Sequence, residues 1–375
     1  MRLLFSGGGT GGHVNPALAI AKYIKSRHPD AEIRFAGGEG GIETKLVPRE
    51  GFELYTFRLH GLSRSFSGDG LKKNVSALGE AFKSVGEAKK ILKSFQPDAV
   101  IGTGGYASFP VAYAAAQLRI PMAILEVNAL AGVATKALAR RADKIFISYE
   151  ETALQLKTRG DVVLTGSPVR EAIVNASRSD ARYKLGLMRD EQLVVSFWGS
   201  LGAREMNRKM IDFIKLECSE KPPFKHIHAT GGYGYTWMPD ELRKAGVRLE
   251  DEEQVDMREY IYDMEDVMAA ADLVICRAGA STLAEVCVLG VPAIIAPSPY
   301  VAENHQEKNA RSLERHGAAR VILENECTGK EIYDLTVTLL SDRAKLAEMA
   351  QCARCLAKPN ATAAIAEQIV QMAAR

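Results

Sequence analysis

The sequence has 375 residues, of which 47% are apolar and 25% are charged, and 32 of them are glycine. This composition excludes the disordered, collagen-like and disulfide-scaffold classes, and at roughly 100–200 residues per domain the length allows two or three domains, with two as the default. The 48 basic and 46 acidic residues leave a formal net charge of +2, which is too balanced for a protein whose main ligand is nucleic acid.

The amino-terminal segment Met1–Ser6 leads directly into glycines, without the apolar stretch and small-residue cleavage site of a secretory signal. We therefore expect the protein to remain in the cytoplasm. No segment reaches the roughly 18 uninterrupted apolar residues that span a bilayer, so membrane contact is expected to be peripheral.

Strand-like apolar runs alternate with helix-period segments along the whole chain, which is typical of parallel α/β units. The first series has predicted strands at Leu3–Ser6, Ile33–Ala36, Ala99–Ile101, Met122–Leu125 and Lys144–Ile147, with helices such as Pro16–Ser26 and Ala131–Arg141. A second series begins near Val162 and continues with Leu193–Phe197, His226–Ala229, Leu273–Cys276 and Ala293–Ala296. The pattern predicts two doubly wound, Rossmann-like parallel sheets, which bind ligands at the carboxyl ends of their strands.

The domain boundaries are predicted where this pattern breaks. Gly166 and Pro168 interrupt it after the first series, so residues 1–164 and 165–355 are predicted as the two domains. Residues 356–375 include a helical pattern at Ala361–Ala373, which we expect to pack back on the amino-terminal domain.

Glycine fills five of the six positions in the segment Gly7–Gly12, called here the first glycine loop, which follows the first strand and leads into a helix. Backbone N–H groups beside a helix start suit an anion, so a phosphate or diphosphate is the expected ligand. A tight turn without a ligand is the alternative. A dinucleotide is disfavoured because Gly37 and Gly38 replace the acidic residue expected after the second strand.

Three further glycine segments follow predicted strands, at Gly102–Tyr106, Gly199–Ala203 and Arg277–Thr282. Counted with the first glycine loop, each half of the chain has two such segments. This favours two phosphorylated ligands, which meet in a cleft between the strand ends of the two halves. In the last segment, called here the second glycine loop, Ser281 and Thr282 can donate hydroxyl hydrogens to a diphosphate. Glu285, one turn further, can accept both hydroxyls of a ribose, or it can simply favour the helix dipole.

Together these segments resemble the MurG family of peptidoglycan N-acetylglucosaminyltransferases. The matching stretches occur in family order over nearly the whole chain, at Gly8–Pro16, Gly104–Ser108, Glu126–Asn128, Gly166–Arg170, Gly199–Ala203, Tyr260–Met264, Ala271–Glu285 and His305–Ala310. The combination is more specific than any one loop.

The resemblance implies a GT-B fold, with two Rossmann-like domains that face a central cleft. It implies transfer of GlcNAc from UDP-GlcNAc to the 4-hydroxyl of MurNAc-pentapeptide-diphosphoundecaprenol (lipid I), with inversion, at the cytoplasmic face of the membrane. The amino-terminal domain is then the acceptor and membrane domain, and the carboxyl-terminal domain binds the UDP-sugar.

The resemblance also implies roles for individual residues. Thr10, Gly11 and Gly12 face the donor sugar and its diphosphate, and Asn128 and Gln306 contact sugar hydroxyls. Arg170 and Ser200 contact the diphosphate, Ile261 holds uracil through its backbone, and Glu285 takes the ribose. The phosphate end is lined by Ala280, Ser281, Thr282, Leu283 and Ala284, and the acceptor diphosphate loop holds Gly104, Gly105 and Tyr106.

The sequence departs from the family pattern at four positions. Leu125 and Val127 flank Glu126 where the family has polar residues, Ser167 replaces asparagine and Leu201 replaces glutamine. These changes affect the expected donor or acceptor preference more than the expected reaction class.

The predicted general base is His13, because imidazole exchanges protons near neutral pH and this residue ends the first glycine loop. Its alternative role is to shape the loop through hydrogen bonds, and Glu126 is the reserve base. Loop amides, the helix start at Ser281 and Arg170 are expected to stabilise the UDP leaving group. No Asp-x-Asp pair follows a strand, and His226 and His228 lack a third ligand, so we predict no metal or other cofactor.

An apolar strip with a helical period predicts contact with the anionic surface of the membrane. Its membrane end holds Leu71, Lys72, Lys73 and Val75, and Leu78, Phe82, Val85 and Leu92 continue it among further lysines. The alternative is that the strip packs on its own sheet, and both interpretations hold if only the Leu71–Val75 end meets lipid.

Two other functions stay open at this stage. A relative with the same fold could glycosylate another acceptor, such as a diglyceride or a polyketide. A dinucleotide oxidoreductase or a non-catalytic nucleotide-binding module belongs to a different class, and binding of NADH without UDP would indicate it.

Overall fold

The computed structural model describes residues 1–58, 84–199, 202–301 and 304–374. The chain divides into two compact units, one made of Met1–Arg170 with Pro359–Arg375 and the other of Glu171–Lys358. Each unit contains one parallel β-sheet.

The first unit has a seven-stranded sheet in the order β3-β2-β1-β4-β5-β6-β7. Its central strands are buried apolar runs: Leu3, Leu4 and Phe5 of β1 have no exposed surface, as expected for a parallel sheet covered on both faces. The strands are β1 (Arg2–Gly7), β2 (Glu32–Gly38), β3 (Glu53–Phe57), β4 (Ala99–Gly104), β5 (Met122–Glu126), β6 (Lys144–Ile147) and β7 (Asp161–Leu164).

Strand β7 corrects one expectation. A second series of strands was expected to begin near Val162, but Val162 pairs with Ile145 of β6 and so belongs to the first sheet. The expectation is wrong because a short strand at the edge of one sheet has the same apolar pattern as the first strand of the next. The second sheet begins with Gln192.

Helices of the first unit fill the connections between these strands. They are α1 (Gly11–Arg27), α2 (Glu43–Arg49), α3 (84–95), α4 (Ser108–Leu118), α5 (Val133–Leu138) and α6 (Glu150–Ala153), with a 3₁₀ turn at Ala139–Arg141. Val85 and Leu92 of α3 are buried in the core beside β4. The proposed membrane residues Leu71, Lys72, Lys73 and Val75 lie outside the described residues.

The second unit has a six-stranded sheet in the order β10-β9-β8-β11-β12-β13. Alternate residues of β8 enter different cores: Leu193, Val195 and Phe197 face one side of the sheet and Val194 faces the other. The strands are β8 (Gln192–Phe197), β9 (Phe224–Ala229), β10 (Val255–Arg258), β11 (Leu273–Cys276), β12 (Ala293–Ile295) and β13 (Ala319–Val321).

Ten helices of this unit are described. They are α7 (Glu171–Val174), α8 (Arg178–Lys184), α9 (Arg204–Glu220), α10 (Gly231–Tyr235), α11 (Met238–Lys244), α12 (Met264–Ala270), α13 (Ala280–Leu289), α14 (His305–Arg315), α15 (Gly329–Ser341) and α16 (Arg343–Leu356), with a 3₁₀ turn at Leu249–Asp251. No helix among the described residues is long and apolar enough to cross a bilayer.

The last helix, α17 (Ala361–Ala373), belongs to the first unit. It packs against α1, and Ile365 and Ile369 are fully buried there. The Thr362 hydroxyl accepts a hydrogen bond from Val169 N at 3.1 Å and donates one to Val169 O at 2.9 Å. The first unit is therefore built from two separate parts of the sequence, with the whole second unit between them.

Candidate functional site

Three neighbouring strands of the first sheet end at the segments that the sequence singled out. Strands β1, β4 and β5 are adjacent, and their carboxyl ends continue into the first glycine loop, the Gly105–Tyr106 turn and the Val127–Gly132 loop. The predicted residues of this unit therefore lie together at the carboxyl ends of these strands, where parallel α/β sheets bind their ligands.

His13 is half-buried in the first turn of α1 and packs on the Gly104–Gly105 turn. Its Nδ1 lies 3.1 Å from Thr103 O, and because a carbonyl oxygen can only accept, Nδ1 carries the hydrogen and Nε2 carries the lone pair of the neutral ring. A Cβ at Gly104, where φ is +102°, would lie 2.5 Å from His13 Nδ1. Only glycine fits that position without moving the imidazole.

Some residues beside His13 are open to solvent, although Thr103, which contacts the ring, is buried. Thr10 is the N-cap residue of α1 and is exposed, and Gly11 and Gly12 form the first positions of the helix. Tyr106 is 46% exposed beside Gly105. This edge of the first unit can therefore contact a ligand through a hydroxyl, helix-start amides and a phenol.

The first glycine loop already holds an anion, and it comes from the protein itself. Glu43, the first residue of α2, is 1% exposed, and its carboxylate accepts hydrogen bonds from Gly9 N at 3.0 Å and from Gly38 N at 2.9 Å. Phosphate was the expected ligand of this loop, but at Gly9 the carboxylate of Glu43 occupies that role. The sequence signal that points to Glu43 is the pair of glycine doublets, Gly37–Gly38 and Gly40–Gly41, just before it.

Glu126 ends β5 and is buried, with every acceptor position of its carboxylate used. Oε1 accepts from Asn128 N and Asn128 Nδ2, both at 3.1 Å, and Oε2 accepts from Gly132 N at 2.9 Å and Thr135 Oγ1 at 2.7 Å. A carboxylate has about four lone-pair positions, so this arrangement opposes the reserve-base role. The network instead fixes the loop that carries Asn128.

The second unit contains a cavity of about 550 Å³ at the carboxyl ends of its strands. Two helices, α9 and α13, begin at this cavity, and the positive ends of their dipoles favour a bound anion. The lining consists of Phe197–Gly199 after β8, Gly202–Glu205 at the start of α9, Arg277, Gly279 and Thr282 in the second glycine loop, and Ser298, Tyr300, Gln306 and Glu324.

Ser281 and Thr282 lie in the first turn of α13, after the N-cap residue Gly279. Thr282 lines the cavity, whereas Ser281 Oγ is buried and has no hydrogen-bond partner in the described parts of the chain. A buried hydroxyl without a partner costs roughly 1–3 kcal/mol, so a ligand that accepts its hydrogen recovers that cost.

The other residues predicted around α13 have different surroundings. The side chains of Ile261 and Leu283 are each 1% exposed and pack in the hydrophobic core, so they can contact a ligand only through their backbone. Ala280 is buried, and Ala284 and Glu285 are half-buried. Gln306 lines the cavity, and its Oε1 accepts a hydrogen bond from Ser298 N at 2.9 Å.

Arg277, Glu324 and Trp198 line the cavity. None of them was assigned a role of its own from the sequence, although Arg277 begins the second glycine loop. The Arg277 guanidinium forms an ion pair with buried Glu324 and donates to Ala296 O at 3.0 Å and Pro297 O at 3.2 Å. It also lies 5.9 Å from the centre of the Trp198 ring. The guanidinium is therefore held in place and largely neutralised before any ligand binds.

The two histidines of β9 belong to a buried hydrogen-bond network. Ser196 Oγ lies 2.7 Å from His226 Nε2 and 2.6 Å from His228 Nδ1, and His226 Nδ1 lies 2.8 Å from Glu217 Oε2. Burial, with His226 nearby, holds the pKa of His228 well below its usual range. Within the described residues, no three His, Cys, Asp or Glu side chains form a group that could hold a metal ion.

Two predicted diphosphate contacts remain. Arg170 is exposed and is the last residue of the first unit before the chain enters the second. Ser200 lies outside the described residues, between Gly199 and Gly202, which both line the cavity.

Comparisons with known proteins cover almost the whole chain. Residues 3–147 match the glycosyltransferase family 28 N-terminal domain, and residues 193–369 match the glycosyltransferase family 28 C-terminal domain. The chain is 46% identical over 98% of its length to the UDP-N-acetylglucosamine--N-acetylmuramyl-(pentapeptide) pyrophosphoryl-undecaprenol N-acetylglucosamine transferase of Acetivibrio thermocellus, of which it covers 97%.

A second relative with that name, from Caldanaerobacter subterraneus subsp. tengcongensis, is 44% identical over 96% of this chain and 97% of its own. Among solved structures, the chain is similar to Acinetobacter baumannii MurG, with a TM-score of 0.77 and 29% identity over 99% of both chains.

Proposed function

The chain belongs to the MurG group of glycosyltransferase family 28 and has its GT-B fold, and from that premise we propose that it converts lipid I to lipid II. In this reaction GlcNAc passes from UDP-GlcNAc to the 4-hydroxyl of MurNAc-pentapeptide-diphosphoundecaprenol. The observation that carries the proposal is the cavity of the second unit, where two helix starts and the Thr282 side chain suit a nucleotide diphosphate. The Ser281 hydroxyl, in the same first turn of α13, has no hydrogen-bond partner within the described residues.

The donor is proposed to bind along the start of α13. Its diphosphate accepts hydrogen bonds from the first-turn amides, Ser281 and Thr282, and Ser200 and Arg170 add further donors. Glu285 accepts the ribose hydroxyls one turn later, and the backbone of Ile261 holds uracil. Because Glu324 neutralises Arg277, the helix ends supply much of the attraction for the diphosphate.

Gln306 and Asn128 are proposed to contact the hydroxyls of the transferred sugar. Both side chains are held by hydrogen bonds in the described structure, Gln306 by Ser298 N and Asn128 by Glu126 Oε1. A side chain that is already oriented loses less conformational entropy when it binds, which favours recognition of one sugar configuration.

His13 is the proposed general base. The hydrogen bond between Nδ1 and Thr103 O leaves Nε2 as the basic nitrogen, which takes the proton from the acceptor hydroxyl. The hydroxyl oxygen attacks the anomeric carbon as the bond to the UDP oxygen breaks, so the configuration inverts. The negative charge that develops on UDP is stabilised by the helix starts and the hydroxyls around α13.

The lipid-linked acceptor places the reaction at a membrane surface, proposed here as the cytoplasmic face. The sequence segment with Leu71, Lys72, Lys73 and Val75 combines apolar and basic residues that suit anionic headgroups. A double variant, Lys72→Glu with Lys73→Glu, is expected to lose binding to anionic vesicles and to keep its transfer to a water-soluble acceptor. Unchanged vesicle binding would oppose this part of the proposal.

The main test is incubation of the purified protein with labelled UDP-GlcNAc and a short-chain lipid I analogue. We expect a disaccharide product with a β-1,4 linkage, and none from the matched analogue that lacks the 4-hydroxyl. Turnover is expected to persist in EDTA. Tight UDP binding without product would indicate a different acceptor, and binding of NADH without UDP would overturn the proposal.

A further inference from the structure

The buried carboxylate of Glu43 fills a space that three glycines leave open. A Cβ at Gly8 would lie 2.1 Å from Glu43 Oε1, one at Gly37 2.6 Å from Cγ and one at Gly41 2.4 Å from Oε2. The three glycines come from separate segments, which are the first glycine loop, β2 and the turn before α2. These segments can converge only because none has a side chain where the carboxylate lies.

We infer that Glu43 is a positioning residue, whose carboxylate holds the first glycine loop in the conformation that places His13 and Thr10. The inference rests on the proposed function for the role of His13. Binding of the donor diphosphate at Gly8 and Gly9 is also disfavoured, because the negatively charged carboxylate of Glu43 already lies there. The loop then contacts neutral groups of the substrates, and the diphosphate binds elsewhere.

The contacts lead continuously from Glu43 to the imidazole. Glu43 Oε2 accepts from Gly9 N, and the preceding Gly8 N donates to Gly104 O at 3.4 Å. A Cβ at Gly105 would lie 2.2 Å from Gly8 O, so the loop and the turn are in direct contact. His13 packs on the same turn, and Thr103 Oγ1 donates to His13 O at 2.8 Å. A shift of the loop therefore shifts the base.

The geometry requires a carboxylate and not an amide. Gly9 N and Gly38 N both donate to the Glu43 side chain, one to each oxygen. A carboxylate offers two acceptors, whereas glutamine offers one acceptor and one NH₂ group, which would face a second N–H. Glu43→Gln has nearly the same volume as the native residue but cannot satisfy both donors.

The first experiment compares the wild-type protein with Glu43→Gln and Glu43→Ala in the lipid I assay. We expect kcat to fall at least 10-fold in Glu43→Gln and further in Glu43→Ala. The Kd for UDP, measured by titration calorimetry, is expected to stay within twofold, because the UDP cavity lies in the second unit. A purely structural defect would lower the fraction of protein that binds UDP and leave the kcat of the remaining molecules unchanged.

Hydrogen exchange supplies a readout that does not depend on activity. In Glu43→Gln, amides of residues 8–12 are expected to exchange faster than in the wild-type protein, while those of α4 and α13 keep their rates. Native kcat together with native exchange in Glu43→Gln would overturn the inference. If the wild-type protein makes no lipid II, the proposed function fails, but the exchange result still decides whether Glu43 holds the loop.

A double-variant comparison tests the steric part of the inference. The three atoms nearest to a Cβ at Gly41 all belong to Glu43, and φ there is not positive. Gly41→Ala is therefore expected to lower Tm in the wild-type background and to have little effect with Glu43→Ala. Gly86→Ala, on an exposed part of α3 with open space around it, is the matched control. It should change Tm equally in both backgrounds. An equal loss for Gly41→Ala in both backgrounds would contradict the inference.

Discussion

The two units differ in how their buried polar groups are satisfied. In the first unit, the carboxylates of Glu43 and Glu126 have hydrogen-bond donors on both oxygens. In the second unit, five buried side-chain atoms have no partner within the described residues, and they include Ser281 Oγ, His228 Nε2 and Trp198 Nε1. Both units follow the same parallel α/β plan, so the sheet architecture alone does not account for the contrast.

The contrast indicates that the two carboxylates of the first unit are satisfied before any ligand binds, whereas Trp198 at the cavity and Ser281 at the start of α13 keep hydrogen-bonding capacity that a ligand can use. Preorganised groups matter most for catalysis, because they require no reorganisation during the reaction. Groups without partners matter most for affinity, because binding removes the cost of leaving them unsatisfied. Changes in the first unit should therefore alter turnover or stability, and changes at the cavity should alter Kd.

The largest expected effect is at His13. His13→Ala is expected to lower kcat about 100- to 10,000-fold, the usual contribution of a general base, with an unchanged Kd for UDP. His13→Asn is the matched control, because its side-chain NH₂ can still donate to Thr103 O while the Nε2 base is lost. It should be as inactive as His13→Ala and more stable. Near-native turnover of either variant would leave His13 with the loop-shaping role only.

Glu126 tests whether the stability of the ligand-free first unit depends on its buried carboxylates. Glu126→Ala leaves four hydrogen-bond donors without their acceptor and is expected to lower the free energy of unfolding by about 3 kcal/mol. Denaturant unfolding of the ligand-free protein measures this loss. Glu126→Gln should lose about half as much. A variant that kept its stability but lost all activity would instead support the reserve-base role.

Ser281 tests the opposite behaviour at the start of α13, next to Thr282 of the cavity. Ser281→Ala is expected to raise the Kd for UDP about 10-fold, because it removes one hydrogen bond to a charged group. The Tm of the ligand-free protein should stay the same or rise slightly, because the hydroxyl has no partner to lose. Ser219→Ala is the control, at an exposed position of α9 where the hydroxyl donates to Leu216 O, and it should leave the Kd for UDP unchanged. A lower Tm with unchanged Kd would show that Ser281 is structural.

The smallest effect concerns His228. Because burial depresses its pKa, the unfolded chain binds a proton below about pH 6.5 while the folded protein does not, so stability falls as the pH decreases from about 7.5 to 5. The slope from this one group is at most about 1.4 kcal/mol per pH unit. His228→Asn keeps a polar atom near Ser196 Oγ and should unfold with a shallower pH dependence. Equal slopes for both proteins would contradict the depressed pKa.

The sequence predicts the central strands well and the edge strands poorly. Strands β6 and β11 have their predicted limits, because buried runs of apolar residues allow little else. Strands β3, β10 and β13 were not predicted. Each is an outermost strand of its sheet and is short or partly exposed, as the charged residues of Val255–Arg258 show. Such segments become strands because a neighbouring strand pairs with them. The sequence of the segment alone does not show that this neighbour is present.

The candidate site shows the same limit. His13, Thr282 and Gln306 were predicted because each belongs to a contiguous motif, and the structure places each at a strand or helix end. Glu43 was not, because it fills the first glycine loop from 34 residues beyond Gly9 and reads along the chain as an ordinary acidic helix start. Arg277 and Glu324 form their ion pair across a separation of 47 residues. No local pattern marks the Arg277–Glu324 pair, and the glycine doublets before Glu43 indicate open space without showing which side chain fills it.

The position of α17 determines when the first unit can mature during translation. Residues 361–373 pack on α1, yet all of the second unit must leave the ribosome before they do. The part of α1 that α17 covers therefore stays exposed while nearly two hundred residues are added, although α1 can already pack on β1, β4 and α2. A chain that stops within the second unit lacks this cover, so we expect its first unit to be cleaved by proteases faster than that of the full chain.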